Sequence, residues 1–113
     1  MTKTQSLPSD TCDAPDLGAI DVLTVLQALS DPVRLEIVRQ LARCGDGDAL
    51  RCGQIEVPVA KSTASHHLKT LSRAGLIADR DEGTCKLIWL RRAELEHRFP
   101  GLLESVLQAA TAG

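Results

Sequence analysis

The chain has 113 residues, a formal net charge of −2 and a hydrophobic fraction of 43%, which predicts one small folded domain. With one Trp, one Phe and no Tyr, it lacks the aromatic side chains on which single-stranded nucleic acids stack. No apolar run approaches the length of a membrane span, and the N-terminal residues lack the apolar core of a signal peptide. We therefore expect a cytoplasmic protein with no membrane partner.

The charge is unevenly distributed along the chain. Residues 1–50 carry four basic and eight acidic side chains, residues 51–92 carry eight basic and four acidic ones, and residues 93–113 carry one basic and three acidic ones. Contact with nucleic-acid phosphates requires a local basic surface, which an acidic protein can also have. The middle segment is therefore where a nucleic-acid contact is expected.

The N-terminal third of the chain begins with polar residues and continues with an apolar periodicity. Residues 1–16 include Pro8, Pro15 and several small polar residues, which predicts a flexible arm. We expect the folded domain to span residues 17–110. Apolar residues at heptad-like spacing predict that it begins with a helix over residues 17–30.

A second helix and a third, shorter one are predicted to follow. Asp31 is suited to the N-cap position and Pro32 to the first helical position of a helix that ends near Arg43. The glycine-rich segment Gly45–Asp48 predicts a loop. We predict the short third helix at Arg51–Glu56.

Residues 61–77 hold the most informative pattern of the chain. If the segment is helical, Ala64, Leu68 and Leu71 form one apolar stripe. The opposite face carries hydroxyls, an imidazole and long cations without any carboxylate, which suits insertion into the major groove of DNA. The alternative is an ordinary amphipathic surface helix, because polar outer faces are common. Ser62 is the expected N-cap of this helix.

The remaining residues predict a β-hairpin followed by helices. Gly75 is suited to the position after a helix C-terminus. Residues 76–80 and 84–90 predict two strands around the turn Asp81–Gly83, with Trp89 expected in the core. Residues 93–99 predict a short helical piece, and Pro100 is expected to open the last helix. The expected fold is mainly α with a β-hairpin wing (α+β), a winged helix-turn-helix of order ααααββα.

Three segments together make a specific pattern. Residues 28–37 read ALSDPVRLEI, residues 61–71 read KSTASHHLKTL, and residues 74–77 read AGLI. In these segments the chain resembles the ArsR/SmtB transcriptional repressors. The resemblance implies a homodimer that is paired through its first and last helices, binds double-stranded operator DNA and releases it when an inducer binds. Members of that family sense metal ions, metalloids, persulfides or oxidants, and some have no known inducer.

The predicted DNA contacts lie on the 61–73 helix and on the hairpin. They are Lys61, Ser62, Thr63, Ser65, His66, Lys69, Thr70, Arg73, Arg80 and Lys86. The cations are expected at phosphates, while the hydroxyls and the imidazole face base edges or neighbouring phosphates. Acidic neighbours in the hairpin predict a modest contribution from the wing. His67 is expected to be packed and hydrogen-bonded. For Arg34 a structural ion pair or capping contact is favoured, with a direct DNA contact as the alternative.

Four cysteines in a cytosolic chain indicate reduced thiols, ligands or redox switches more than structural disulfides. Thiolates of Cys12, Cys44 and Cys52 would suit a thiophilic ion such as As(III) or Sb(III), which would act as an inducer and not as an obligatory cofactor. A Cys44–Cys52 disulfide, and therefore a redox or persulfide sensor, is the alternative, as is a regulator without any metal response. Cys85 is interpreted as a packing residue.

Two departures from the family pattern, and one rival class, bear on function. Residues 50–55 contain one cysteine where one well-known group of the family carries Cys-x-Cys. Residues 100–110 contain one carboxylate and no histidine where another group carries its metal ligands, which argues against a zinc or nickel site of that type. The chain has no Gly-rich phosphate loop, nucleophile elbow or convincing acid–base pair, so we expect no enzymatic activity.

Overall fold

The computed structural model describes residues 17–44 and 49–112. The helices in these ranges are α1 (Val22–Leu29), α2 (Pro32–Ala42), α3 (Lys61–Arg73), α4 (Arg92–Arg98) and α5 (Leu102–Ala112), and the strands are β1 (Leu50–Arg51), β2 (Ile77–Glu82) and β3 (Cys85–Leu90). They form a winged helix-turn-helix, which confirms the predicted fold class. The predicted arm over residues 1–16 and the predicted loop Gly45–Asp48 lie outside the described residues. No described helix is long and apolar enough to cross a membrane.

The first helix is shorter than the predicted span of residues 17–30. A 3₁₀ turn, Leu17–Ala19, precedes it, and α1 begins after Asp21. The Asp21 carboxylate accepts the backbone N–H of Thr24 at 2.9 Å and its hydroxyl at 3.0 Å. The bond from the Thr24 N–H is also the main reason why the pKa of Asp21 is lowered. This cap sets the helix start at Val22.

The start of α2 is capped as predicted. The Asp31 carboxylate accepts the backbone N–H groups of Val33 at 2.9 Å and Arg34 at 3.0 Å, and Pro32 occupies the first helical position. The bond from the Arg34 N–H is the largest cause that lowers the pKa of Asp31. Carboxylates at this position also interact favourably with the helix dipole. The cap therefore fixes the tight corner between α1 and α2.

The sheet is antiparallel with strand order β1–β3–β2, and it contradicts one sequence prediction. The segment Arg51–Glu56 is not a helix, because Arg51 pairs with Leu87 on the outer edge of β3 and is followed by the 3₁₀ turn Cys52–Gln54. The Gln54 side chain accepts the backbone N–H of Arg51 at 2.8 Å. Pairing with a distant strand edge thus outweighs the weak local helix pattern.

The turn of the hairpin is shorter than predicted and lies further along the chain. Glu82 pairs with Cys85, so only Gly83 and Thr84 remain in the turn. Gly83 has a φ of +76°, a region that side chains other than glycine rarely adopt. Trp89 is only partly buried, which contradicts its predicted core position, because the buried face of β3 carries Ile88 instead.

The core joins the helices to one face of the sheet. Its buried side chains are Val25, Ala28, Leu29, Ile37, Val38, Leu41, Leu71, Ala74, Leu76, Ile77, Ile88, Leu95, Leu103 and Leu107. The last helix begins at Leu102 and not at Pro100, because Gly101 stands between them with a φ of +81°. Leu71 belongs to α3 and is 0% exposed, so burial of this side chain fixes which face of α3 points outward.

Candidate nucleic-acid interface

Helix α3 presents one polar face to solvent. Leu71 is fully buried and Ala64 and Leu68 are partly buried, so the predicted apolar stripe packs onto the core. The exposed side chains of this helix are Lys61, Ser62, Thr63, Ser65, His66, Lys69 and Arg73. All seven are predicted contact residues, and no carboxylate occurs anywhere in α3. The structure therefore brings the predicted reading residues together on one outward face.

The cations of α3 are available for a partner. Within the part of the chain that the structure describes, no hydrogen bond or ion pair engages the side chains of Lys61, Lys69 or Arg73. At 1.5 Å rise per residue, Lys61 and Arg73 lie about 18 Å apart along the helix axis, which exceeds the major-groove width of about 12 Å. Cations spaced in this way can reach phosphates on both edges of a groove.

The two predicted wing contacts are exposed but already paired. Nε of Arg80 lies 2.8 Å from Oε2 of Glu82, and Nζ of Lys86 lies 4.0 Å from Oδ1 of Asp79. A phosphate would have to compete with these carboxylates. This geometry agrees with a modest contribution from the wing.

The start and the middle of α3 differ from the prediction in two details. Ala60 is the N-cap residue and no side chain caps the helix, so the predicted N-cap role of Ser62 is wrong. Ser62 lies in the first turn with an exposed side chain, beside backbone N–H groups that the helix leaves unpaired. Thr70 is half-buried, and its hydroxyl donates to the His66 carbonyl at 3.1 Å, which ties it to the helix itself.

Arg34 holds the first three helices in register. Its Nε donates to the carbonyl of Ala28 at 2.7 Å, its Nη2 lies 3.4 Å from the carbonyl of Gln27, and its Nη1 lies 3.2 Å from Nδ1 of His67. Because a guanidinium only donates, Nδ1 of His67 accepts, which leaves the proton of a neutral ring on Nε2. That atom lies 3.9 Å from Oδ2 of Asp31. The structural roles expected for Arg34 and His67 are thereby confirmed.

Gln40 fixes the segment that leads into α3, a role that no sequence pattern indicates. Its amide donates to the carbonyl of Glu56 at 2.7 Å and accepts the N–H of the same residue at 3.0 Å. It also donates to Glu36 at 3.0 Å, the bond that contributes most to lowering the pKa of Glu36. A glutamine in a helix is usually a surface residue, so only the tertiary contact identifies it.

Two of the four cysteines are described with their side chains. Cys44 is half-buried at the end of α2, and its thiol donates to the carbonyl of Gln40 at 3.7 Å. Cys85 is half-buried at the start of β3, where its thiol donates to the carbonyl of Glu82 at 3.8 Å. Cys12 and the side chain of Cys52 lie outside what the structure describes. Among the described residues no group of three or more His, Cys, Asp or Glu could hold a metal.

Comparisons with known proteins place these features in a wider context. A family model for a helix-turn-helix domain matches residues 29–80. The chain is 39% identical over 84 residues to the uncharacterized HTH-type transcriptional regulator YceK of Bacillus subtilis (strain 168), an alignment that covers 73% of this chain and 82% of that protein. It is 37% identical over 82 residues to the putative arsenical resistance operon repressor ArsR2 of Halobacterium salinarum, covering 67% of this chain and 68% of that protein.

A third relative comes from another archaeon. An uncharacterized HTH-type transcriptional regulator of Methanocaldococcus jannaschii is 36% identical over 67 residues, which are 58% of this chain and 73% of that protein. All three relatives are named as transcriptional regulators or repressors. The matched family model covers the stretch from the end of α1 into β2, which includes the whole of α3.

Proposed function

Because the chain belongs to the ArsR-type family of helix-turn-helix transcriptional regulators, we propose that it is a homodimeric repressor released from its operator by a thiol-reactive inducer. Like its relatives, it is a transcriptional regulator. It binds DNA and is not an enzyme. The observation that carries the proposal is the exposed, carboxylate-free face of α3, whose cations have no partner among the described residues. A cytoplasmic location is part of the proposal, since the operator must be accessible.

The proposed reading mode follows from this face. The N-terminal half of α3 enters the major groove, where Ser62, Ser65 and His66 face base edges or phosphates. Lys61, Lys69 and Arg73 supply salt-dependent contacts to the backbone. The paired cations of the wing contribute less, because each first has to leave a carboxylate.

The homodimer is supported by an apolar surface on α1. Val22, Leu23 and Leu26 are 39%, 64% and 41% exposed, which is unusual for large apolar side chains in a small domain. The family resemblance implies pairing through the first and last helices, and α1 is the first. Two α3 helices related by a two-fold axis would bind half-sites one helical turn of DNA, about 34 Å, apart.

The proposed inducer is a trivalent metalloid or another thiophilic ion bound by Cys12, Cys44 and Cys52. Its support is the chemistry of three soft sulfur donors and the name of the Halobacterium salinarum relative, an arsenical resistance operon repressor. A physical route to α3 also exists. Cys44 contacts the backbone of Gln40, whose side chain holds Glu56 in the segment that leads into the reading helix.

A redox or persulfide sensor is the second candidate, since a Cys44–Cys52 bond would strain the same route. Either inducer has to favour the DNA-incompetent dimer by only about 1–3 kcal/mol to lower operator affinity about 5–150-fold. A regulator of this fold without any metal response remains the third alternative.

Lys69→Ala tests the DNA interface. We expect several-fold weaker operator binding, a smaller dependence of affinity on salt by about one ion, and an unchanged dimer mass, because one phosphate contact is lost. Fluorescence polarisation with a labelled promoter fragment at several salt concentrations gives both quantities. Arg43→Ala is the matched control, since it removes one exposed cation from α2 outside the interface. Equal affinity and salt slope in the two variants would exclude Lys69 from the interface.

Release assays separate the inducer classes. Reduced protein on labelled operator DNA is treated with arsenite, antimonite, peroxide or persulfide, and the series is repeated with Cys44→Ser, Cys52→Ser and the double variant. If arsenite releases the unaltered protein from DNA but releases neither single variant, a metalloid site is supported. If only oxidants release the protein, the redox alternative is supported. Release that persists in the double variant contradicts a sensor built on these two cysteines, and Cys85→Ser is the control for a cysteine outside it.

A further inference from the structure

An open cleft of about 300 Å³ lies between α1 and the C-terminal half of α3. Thr24 and Gln27 of α1 line one side, Thr70 and Arg73 of α3 line the other, and Arg34 of α2 completes the wall. The volume is at the lower end of the range for small-ligand sites. The cleft lies at the opposite end of α3 from the residues proposed to read base edges.

The charge of the cleft is one-sided. Two guanidinium groups line it, and no carboxylate does. The Arg73 side chain has no hydrogen bond or ion pair among the described residues, and the same holds for the Gln27 amide. Arg73 therefore adds a positive charge to the cleft that no described side chain pairs with, whereas Arg34 also interacts with the Asp31 carboxylate outside the lining.

The guanidinium of Arg34 is already oriented. Its bonds to Ala28, Gln27 and His67 use three of its five N–H groups, so two remain for an acceptor. A donor held in place loses little side-chain entropy when a ligand binds. The hydroxyls of Thr24 and Thr70 donate to Asp21 and His66, so the guanidinium groups and the Gln27 amide are the available donors.

We propose that this cleft binds an oxyanion, a phosphate or carboxylate group, between Arg34 and Arg73. Planar guanidinium groups match the geometry of both anions and bind them with charge-assisted hydrogen bonds. The anion comes either from a small soluble ligand or from the DNA backbone. Because Arg73 is also a proposed phosphate contact, occupation by a soluble anion competes with DNA, a consequence that rests on the function proposed above.

Titration of the free protein tests the site without any DNA. Orthophosphate or acetate replaces chloride at constant ionic strength, and amide NMR shifts are followed. We expect saturating shifts at Gln27, Thr70 and Arg73. Gln27→Glu places a negative charge, the same sign as that of the ligand, in the cleft, and Arg73→Gln removes a positively charged donor. Each variant should therefore bind the anion at least about tenfold more weakly. Gln108→Glu, the same change at an exposed position of α5, should leave it unaltered.

The outcomes divide cleanly. Shifts that do not saturate, that spread over all basic residues, or that persist in both cleft variants overturn the proposal. Operator binding measured in chloride then identifies the source of the anion. If Gln27→Glu binds the operator more weakly than the unaltered protein, the anion is a DNA phosphate. If the two proteins bind the operator equally well and added phosphate weakens operator binding of the unaltered protein, the anion is a soluble ligand. If the unaltered protein does not bind operator DNA, the proposed function is refuted, while the result of the anion titration still holds.

Discussion

Replacement of Arg34 by Ala should strongly destabilise the domain, because one side chain connects three helices. The change removes the bond of 2.7 Å to the Ala28 carbonyl and that of 3.2 Å to Nδ1 of His67. Ala28 is 3% exposed, so water has little access to replace the lost donor. At about 1–2 kcal/mol for each of the two bonds, and nothing for the longer contact to Gln27, the loss is about 2–4 kcal/mol.

Thermal unfolding measures this loss. For a domain of this size we expect a Tm lower by about 8–16 °C, at about 4 °C per kcal/mol. All samples are compared at one protein concentration, because dimerisation makes Tm depend on concentration. Arg43→Ala is the control, since the Arg43 side chain is 66% exposed and its ion pair with Glu36 contributes less than about 1 kcal/mol.

A second variant separates charge from geometry. Arg34→Lys keeps the positive charge but has no planar fork, so it cannot reach the Ala28 carbonyl and His67 together. We expect it to lose most of the stability that Arg34→Ala loses. A Tm of Arg34→Ala equal to that of Arg43→Ala would show that the three-helix connection does not stabilise the fold.

Two further predictions concern the same half of the domain. Gln40→Ala should lower the free energy of unfolding by about 1 kcal/mol, because it removes two hydrogen bonds to the Glu56 backbone that water can replace only in part. Urea unfolding followed by the fluorescence of Trp89, the single tryptophan, measures it, and an unchanged midpoint would contradict the role of Gln40. The stability should also fall in acid. The pKa values of Asp31 and Glu36 lie below their ordinary 3.8 and 4.5, so their stabilisation is fully present above those values and is lost as the pH falls through the lowered pKa of the folded state. Unfolding by urea at about pH 7 and about pH 3 tests this, and Asp31→Asn should show a smaller loss between them.

The outward face of α3 could be predicted from the sequence because helix periodicity assigns each side chain to a face. Ala64, Leu68 and Leu71 are apolar at helical spacing, and all three turn toward the core. The seven exposed residues opposite them follow from the same geometry. The absence of carboxylates from this face of α3, which makes it suited to phosphate, is also a property of the sequence alone.

The sequence also determined where helices begin and end and where turns lie, wherever the signal comes from neighbouring residues. Asp31 caps α2 through N–H groups two and three residues away, and Gly75 and Gly83 take the positive φ values that their neighbours disfavour. Such signals depend on the chemistry of adjacent residues and survive in any tertiary context.

Only the tertiary structure decided the features whose partners are distant in the chain. Arg51 lies in a strand because β3 offers an edge, and Arg34 meets His67 across 33 residues. Gln40 finds Glu56 across 16 residues, in a contact that no local pattern encodes. These bonds form because burial of the core brings the elements together. The outward face of α3 is thus determined by the sequence, and the position in which this helix is held is determined by packing.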